Sequence, residues 1–255
     1  MVGTAVDFYS AAFVARHSHK PASDPVPLSE PGIRGVVSAD EKRVIRLLLL
    51  DDRGYGRLAT EVAVAQQGVA HVFERASRCD ALLRGQSGWT ADRPSTAMVL
   101  RDIHAVSIAT LPDGLILRPV KRLACESGAV PLQAAAAVAI ASDPGITQPA
   151  DEFAEFLRAL PSAVRLFAAV DEWGIPRATS GCDVFGEYAR IFFVNTEPGW
   201  RRRGIGRAMT VEALRAAAAS GARRAILDAT DGGASVYLQL GFEDAGRLTR
   251  YSRAA

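Results

Sequence analysis

The sequence predicts an α+β chain on three observations: an apolar strand pattern that turns abruptly into a glycine-containing helix start, a second strand, turn and helix near the C-terminus, and long helix-forming runs upstream. In the first of these, Ile191, Phe192, Phe193 and Val194 are β-branched or aromatic and fit one short buried strand, which Pro198 and Gly199 break. From Gly204 to Ser220 nearly every residue is a helix former, with Arg207, Thr210, Glu212 and Arg215 as polar interruptions. That composition predicts a helix buried over most of its circumference and stopped by Gly221. The second segment, Ala225 to Phe242, reads A-I-L-D-A-T-D-G-G-A-S-V-Y-L-Q-L-G-F: a short strand, a Gly-rich turn and a helix closed by Gly241.

Upstream, three stretches are expected. Residues 1–35 end in K-P-A-S-D-P-V-P-L-S-E-P-G, where proline removes backbone donors, and are expected to be a mobile lead-in. Residues 36–95 are expected to be mainly helical, opening at Ala39-Asp40-Glu41-Lys42 and running again from Leu58 to Leu83 with Val62, Ala65, Val69, Val72 and Phe73 at helical spacing. Such a region is too small to bury a full core alone, so it is expected to pack on the following domain or on another copy of the chain as a homodimer. Residues 96–255 are expected to form the main domain. Its first strand lies near Gly114 to Val120, then helices at Pro131 to Ser142 and Ala150 to Leu160, strands at Val164 to Asp171 and Pro176 to Phe185, and a last strand near Phe242 to Tyr251.

Composition narrows the function classes. The chain has 255 residues, 49% of them hydrophobic, and a net charge of +2, which gives no support to a general nucleic-acid or membrane-surface role. No run of eighteen apolar residues is present, and the N-terminus lacks a basic region ahead of its short apolar stretch. Cys79, Cys125 and Cys182 are widely spaced, which suggests neither a disulfide framework nor a zinc site and fits a reducing cytoplasm. His17, His19, His71 and His104 show no metal-ligand pattern, and no metal is expected.

A strand that feeds a helix N-terminus presents unpaired N–H groups to an anion. Here Arg201, Arg202, Arg203 and Arg207 flank the turn, while Gly204 and Gly206 let an oxygen approach the backbone, and a diphosphate is the natural ligand. The turn contains no lysine, which excludes a P-loop. Gly204-Ile205-Gly206 is followed at the third position by Met209, which excludes the dinucleotide fingerprint. What remains is R-x-x-G-x-G at Arg201, Gly204 and Gly206, preceded by V-x-T-x-P at Val194, Thr196 and Pro198. This pattern resembles the acetyl-CoA-binding motif of the GNAT superfamily of N-acetyltransferases, and the segment Ala225 to Phe242 is similar to the C-terminal half of that family's core. The resemblance spans about residues 96–255 and implies a GNAT-like mixed central sheet flanked by helices. No second R-x-x-G-x-G appears in the first third of the chain.

The resemblance also implies roles. Acetyl-CoA is the expected cosubstrate and an amine the acceptor, with direct attack on the thioester in a ternary complex. Arg201, Arg202, Arg203, Gly204, Ile205, Gly206 and Arg207 would hold the diphosphate. Val194 or Asn195, where the family strand bulges, would supply the N–H that polarises the carbonyl, and Thr196 would pair with the pantetheine amides. Tyr237 matches the family's helix tyrosine and would protonate the leaving thiolate, the alternative being a core aromatic. Thr230 stands where many members have an asparagine, which puts a side-chain contact to the pantetheine in doubt. The general base stays open between Glu187 and Asp183, each of which also reads as a solvated carboxylate. A non-catalytic acyl-CoA-binding regulatory protein is the competing reading. The acceptor's identity would lie in the loops around Thr147 and in the hairpins.

Overall fold

The chain begins with helix α1 (Ala5–Ser18), strands β1 (Pro25–Glu30), β2 (Ile33–Ser38) and β3 (Val44–Leu49), helix α2 (Tyr55–Val64), β4 (Gln67–Phe73), α3 (Ser77–Gly85), β5 (Thr90–Ala91) and β6 (Ser95–Leu100). It continues through β7 (Ile116–Lys121), β8 (Val130–Pro131), α4 (Leu132–Ser142), α5 (Ala150–Arg158), β9 (Arg165–Val170), β10 (Pro176–Phe185) and β11 (Tyr188–Thr196). The last elements are α6 (Ile205–Ala219), β12 (Arg224–Ala229), α7 (Ala234–Leu238) and β13 (Glu243–Arg253). The structure, a computed structural model, describes residues 4–18, 25–38, 44–121, 128–143, 145–146 and 148–254. The expected helix start at 39–42, Cys125, His19 and Thr147 lie outside the described residues. Two compact units are present: Met1–Val99 with Asp228–Ala234 and Glu243–Ala255, and Leu100–Leu227 with Ser235–Phe242.

In the first unit the strand order is β1-β2-β3-β4-β13-β6, with β5 also on β13. The strands β1, β2 and β3 form an antiparallel meander, helix α2 crosses over to make β4 parallel to β3, and β13 runs antiparallel to both β4 and β6. Leu47, Leu49, Leu58, Val62, Val72, Leu83 and Tyr251 are among the side chains of its core. The Tyr251 hydroxyl donates to Asp80 at 2.5 Å, so the one polar atom of that ring is satisfied.

These observations replace the expectations for the first third. The stretch expected to be a mobile lead-in contains α1 and the β1–β2 hairpin. Proline is accommodated there because β1 has a partner on one side only, where a missing N–H costs no ladder bond. Residues 36–95 are not mainly helical: β3 and β4 are largely buried strands, and the helices α2, between them, and α3, after β4, are short. The region is also not a separate piece, since its sheet is completed by β13 from the far end of the chain.

The second unit has strand order β12-β11-β10-β9-β7-β8. Its elements fall where the sequence places them: a first strand, two helices, an antiparallel meander β9-β10-β11, then α6 crossing over to the parallel β12. Helices α4 and α5 pack through Ala135, Ala136, Ala154 and Leu157 against Leu166, Ala168 and Val170 of β9. The alternate residue Ala169 packs with Ala178 against Ile205 and Met209 of α6, on the opposite sheet face. As expected, α6 is enclosed: Ile205, Ala208, Met209, Thr210, Val211, Ala213, Leu214 and Ala217 are all buried.

Because β13 fills an interior position of the first unit's sheet, removing residues 243–255 should strip β4 of its neighbour. Amide hydrogen exchange of the truncated chain should then show lost protection across 44–49 and 67–73. Unchanged exchange in those strands would contradict the assignment of β13 to this unit.

Candidate active site

Strand β11 is where the second unit's sheet opens. Its parallel pairing with β12 covers only Tyr188–Arg224, Ala189–Ala225 and Arg190–Ile226. From Ile191 to Thr196 it is paired on the β10 side alone, and every residue from Phe192 to Glu197 is only half-buried. Within that open half the ladder slips: Gly181 faces Phe192 but Thr179 faces Asn195, so β11 carries one extra residue. Phe193 adopts φ 58°, an unusual conformation for a non-glycine residue. Consecutive side chains Phe192 and Phe193 therefore pack on one sheet face, against the α4–α5 core, with Phe193 6.0 Å from the Phe153 ring. Thr179 pins the bulge by donating to the Phe193 carbonyl at 2.9 Å, and Asn195 Nδ2 donates to Thr179 Oγ1 at 3.4 Å.

The chain leaves β11 through a 3-10 turn at Pro198–Trp200 and enters α6 at Gly204, whose φ of 77° and ψ of 0° are left-handed and cost glycine nothing. No side chain caps this helix, and the Ala208 N–H donates to the Gly204 carbonyl at 3.1 Å. The N–H groups of Ile205, Gly206 and Arg207 are thus the donors that a helix start leaves open. A Cβ on Gly204 would meet nothing within 4 Å, and one on Gly206 would meet only Thr196 Oγ1, at 3.8 Å. Open donors, open space and the positive end of a 15-residue helix fit a diphosphate group.

The four arginines divide in two. Arg201 spends its guanidinium on the Thr196 carbonyl at 3.1 Å and the Ser142 carbonyl at 2.6 Å, tying the turn to the end of α4. Arg203 donates to the Gly199 carbonyl at 3.3 Å and lies over the Trp200 ring. Arg202, at φ 66°, is exposed and its cation is open to an anion, while Arg207 is half-buried, its Nε enclosed and without a partner among the described residues.

A second arginine cluster was not legible in the sequence. Arg177 bonds Asp171 at 2.8 Å and Glu197 at 2.7 Å and stacks over Trp200 at 5.3 Å, while Glu197 N–H donates to the Arg177 carbonyl. The β9–β10 hairpin brings Asp171 to Arg177, and the β10–β11 pairing adds Glu197. Burial works against the charge of Asp171, but the Ile175 N–H and the Arg177 guanidinium outweigh it and hold this carboxyl below its ordinary pKa. The hydrogen bond that Arg177 donates to Glu197, opposed by desolvation and joined by the one to Asp171, raises Arg177 in turn.

Of the remaining expected residues, Tyr237 is in α7, buried, with its ring 5.9 Å from Phe242 in an edge-on arrangement. Burial pushes its hydroxyl up to about 12, so the group stays protonated at neutral pH. Thr230 lies in the stretch that belongs to the first unit, in the turn before α7, where its carbonyl accepts from Gly233 and Ala234. Glu187 is not brought to the bulge. It sits in the hairpin turn before β11, roughly 20 Å from Val194 at strand rise, and its carboxylate pairs with Arg224 at 3.2 Å. Asp183 is buried on β10 opposite Arg190, three residues short of Phe193. Among the described residues no group of three or more His, Cys, Asp or Glu could hold a metal ion, and no helix is long and apolar enough to cross a membrane.

Residues 137–242, which contain this strand, turn and helix, match the model of the acetyltransferase (GNAT) family. The fold is shared with a GCN5-related N-acetyltransferase from Kribbella flavida (TM-score 0.62, 18% identity, covering 100% of this chain and 97% of that one). It is shared too with a GCN5-related N-acetyltransferase from Sphaerobacter thermophilus (TM-score 0.56, 15% identity, 87% and 76% covered). A tandem GNAT protein from the clavulanic acid biosynthesis pathway gives a TM-score of 0.54 at 13% identity, with 97% and 94% covered. No curated protein matches the sequence.

The Arg177 cluster ties the turn before α6 to β10. Replacing Arg177 with Met should lower the unfolding temperature at pH 7. Because the Asp171 pKa is depressed in the folded state, the stabilisation is present above the unfolded carboxyl value and lost as pH falls through the folded one. The gap between wild type and variant should therefore close in acid; a gap independent of pH would show that the Asp171 charge does not contribute.

Proposed function

We propose that the second unit transfers the acetyl group of acetyl-CoA to a primary amine by direct attack in a ternary complex. The observation that carries this reading is the coincidence of two unpaired backbone surfaces, the edge of β11 from Ile191 to Thr196, with its bulge, and the first turn of α6. The edge suits the amides of a pantetheine arm in strand fashion, at Thr196 above all. The turn suits the diphosphate through the N–H groups of Ile205, Gly206 and Arg207, helped by Arg202 and Arg207 side chains. Arg201 and Arg203 hold the shape of that turn.

In the reaction the amine nitrogen bonds to the thioester carbon and the carbon–sulfur bond breaks. An N–H at Val194 or Asn195 stabilises the charge that develops on the carbonyl oxygen. Tyr237 gives its proton to the departing sulfur, whose conjugate acid has a pKa of about 8.5 by analogy with cysteine. The proton lost by the amine passes to water or to Asp183; Glu187, paired with Arg224 at the other end of the strand, does not serve. An acceptor amine of low pKa needs little help from a base. The distance of Glu187 from the bulge also favours a second reading, a regulatory protein that binds acyl-CoA without turnover. Free, buried Cys79 and Cys182 suit a reducing cytoplasm, where we place the reaction.

Acetyl-CoA at about 100 times its dissociation constant should add roughly 2.7 kcal/mol of stability, a rise of about 5–10 °C in unfolding temperature for a chain of this size. No rise at saturation would contradict cofactor binding. Turnover with an amine panel then separates enzyme from regulator. Tyr237→Phe should lower the maximal rate about 100-fold with acetyl-CoA affinity retained, and an unchanged rate would remove Tyr237 as the acid.

A further inference from the structure

The first unit repeats the plan of the second. A three-strand antiparallel meander, β1-β2-β3, leads through a 3-10 turn and a helix, α2, to a parallel strand β4 and a further helix α3. In the second unit β9-β10-β11, a 3-10 turn, α6, β12 and α7 follow the same order and pairing. The sequence repeats at the corresponding turn: Arg53-Gly54-Tyr55-Gly56-Arg57 stands against Arg203-Gly204-Ile205-Gly206-Arg207, each residue 150 positions earlier. The position that matches Arg201 is Asp51, and for that reason R-x-x-G-x-G does not recur.

Four differences separate the two turns. At the first, Asp51 accepts from the Arg53 N–H at 3.0 Å and pairs with the Arg53 guanidinium at 2.7 Å, so a carboxylate of the chain itself fills the anion position. The next residue, Asp52, accepts from the N–H groups of Arg78 and Cys79 and adds a second negative charge. Gly54 is right-handed, at φ −76°, and a Cβ there would lie 2.9 Å from Ile33 Cβ, whereas the space at Gly204 is open. Finally β3 is paired with β4 from Val44–Gln67 through Leu49–Val72 and with β2 without a register shift, so it has neither an open edge nor a bulge. Leu47, Leu48 and Leu49 are completely buried where Phe192 to Glu197 are half-exposed.

We infer that the chain is an internal duplication of one acyl-CoA-binding fold in which the first copy is closed: its cofactor turn is filled by Asp51 and its strand edge by β4, so each chain binds one acyl-CoA, in the second copy. This rests on the function proposed above. A carboxylate at the helix start repels a diphosphate where the second copy offers open donors and unpaired arginine. The first copy then persists as a folded unit without the chemistry of the second.

Calorimetric titration with acetyl-CoA tests it on three full-length chains: wild type, Gly56→Trp and Gly206→Trp. Both glycines have open surroundings, and unliganded unfolding temperatures confirm that each variant is folded. One acetyl-CoA per chain is expected for wild type and for Gly56→Trp at equal affinity, with affinity lowered at least 100-fold in Gly206→Trp. Two molecules per wild-type chain, or loss of binding in Gly56→Trp, would overturn the closed first copy. Absence of binding to wild type would instead overturn the proposed function and, with it, this inference.

Discussion

The second unit depends on backbone groups that its own fold leaves unpaired. A strand inside a sheet normally satisfies N–H and C=O groups on both sides, and leaving them without partners costs free energy unless solvent or a ligand supplies them. Strand β11 gives up its β12 partner after Arg190. The open stretch is half-buried, which lets water reach it when nothing else does. Helix α6 adds a second set of open donors directly downstream in the chain. Most of the neighbouring detail supports this opening: Thr179 fixes the bulge, Arg201 ties the turn to α4, and Arg177 joins Asp171, Glu197 and Trp200 into one cluster.

The first unit shows the same meander and crossover without the opening. With β4 in register along the whole of β3, the strand edge that is open in the second unit is paired in the first, and the Asp51 carboxylate, bonded to the Arg53 N–H, stands in the corresponding turn. The comparison assigns a physical meaning to small changes in sequence. An aspartate where the other copy has an arginine puts a carboxylate of the chain itself in the turn before the helix. Buried leucines in place of a half-exposed strand turn a cleft into plain sheet.

The sequence carried the second unit well. Each of its elements from β9 to α7 coincides with a run that Pro or Gly punctuates, and the turn at Arg201–Arg207 combines features that few structures other than an anion site require. The first third was harder for identifiable reasons. Val44 to Leu49 is an apolar run too short to distinguish strand from helix by period. Val62, Ala65, Val69, Val72 and Phe73 fall by coincidence at helical spacing although α2 ends at Val64 and β4 begins at Gln67. The strand that completes this unit, β13, is separated from β4 by most of the chain, and no local pattern can announce such a pairing. Glu187 was placed beside the active strand by adjacency in sequence, but strand geometry carries it to the opposite end, where Arg224 takes it up.

The central claim is that open backbone donors at β11 and α6 bind the acyl-CoA. A crystal structure of the chain with acetyl-CoA tests this most directly. The account predicts the diphosphate within hydrogen-bond distance of the N–H groups of Ile205, Gly206 and Arg207, with the pantetheine arm along β11 beside Thr196. A cofactor bound with these donors still facing solvent, or seated at the Arg53–Arg57 turn, would contradict it.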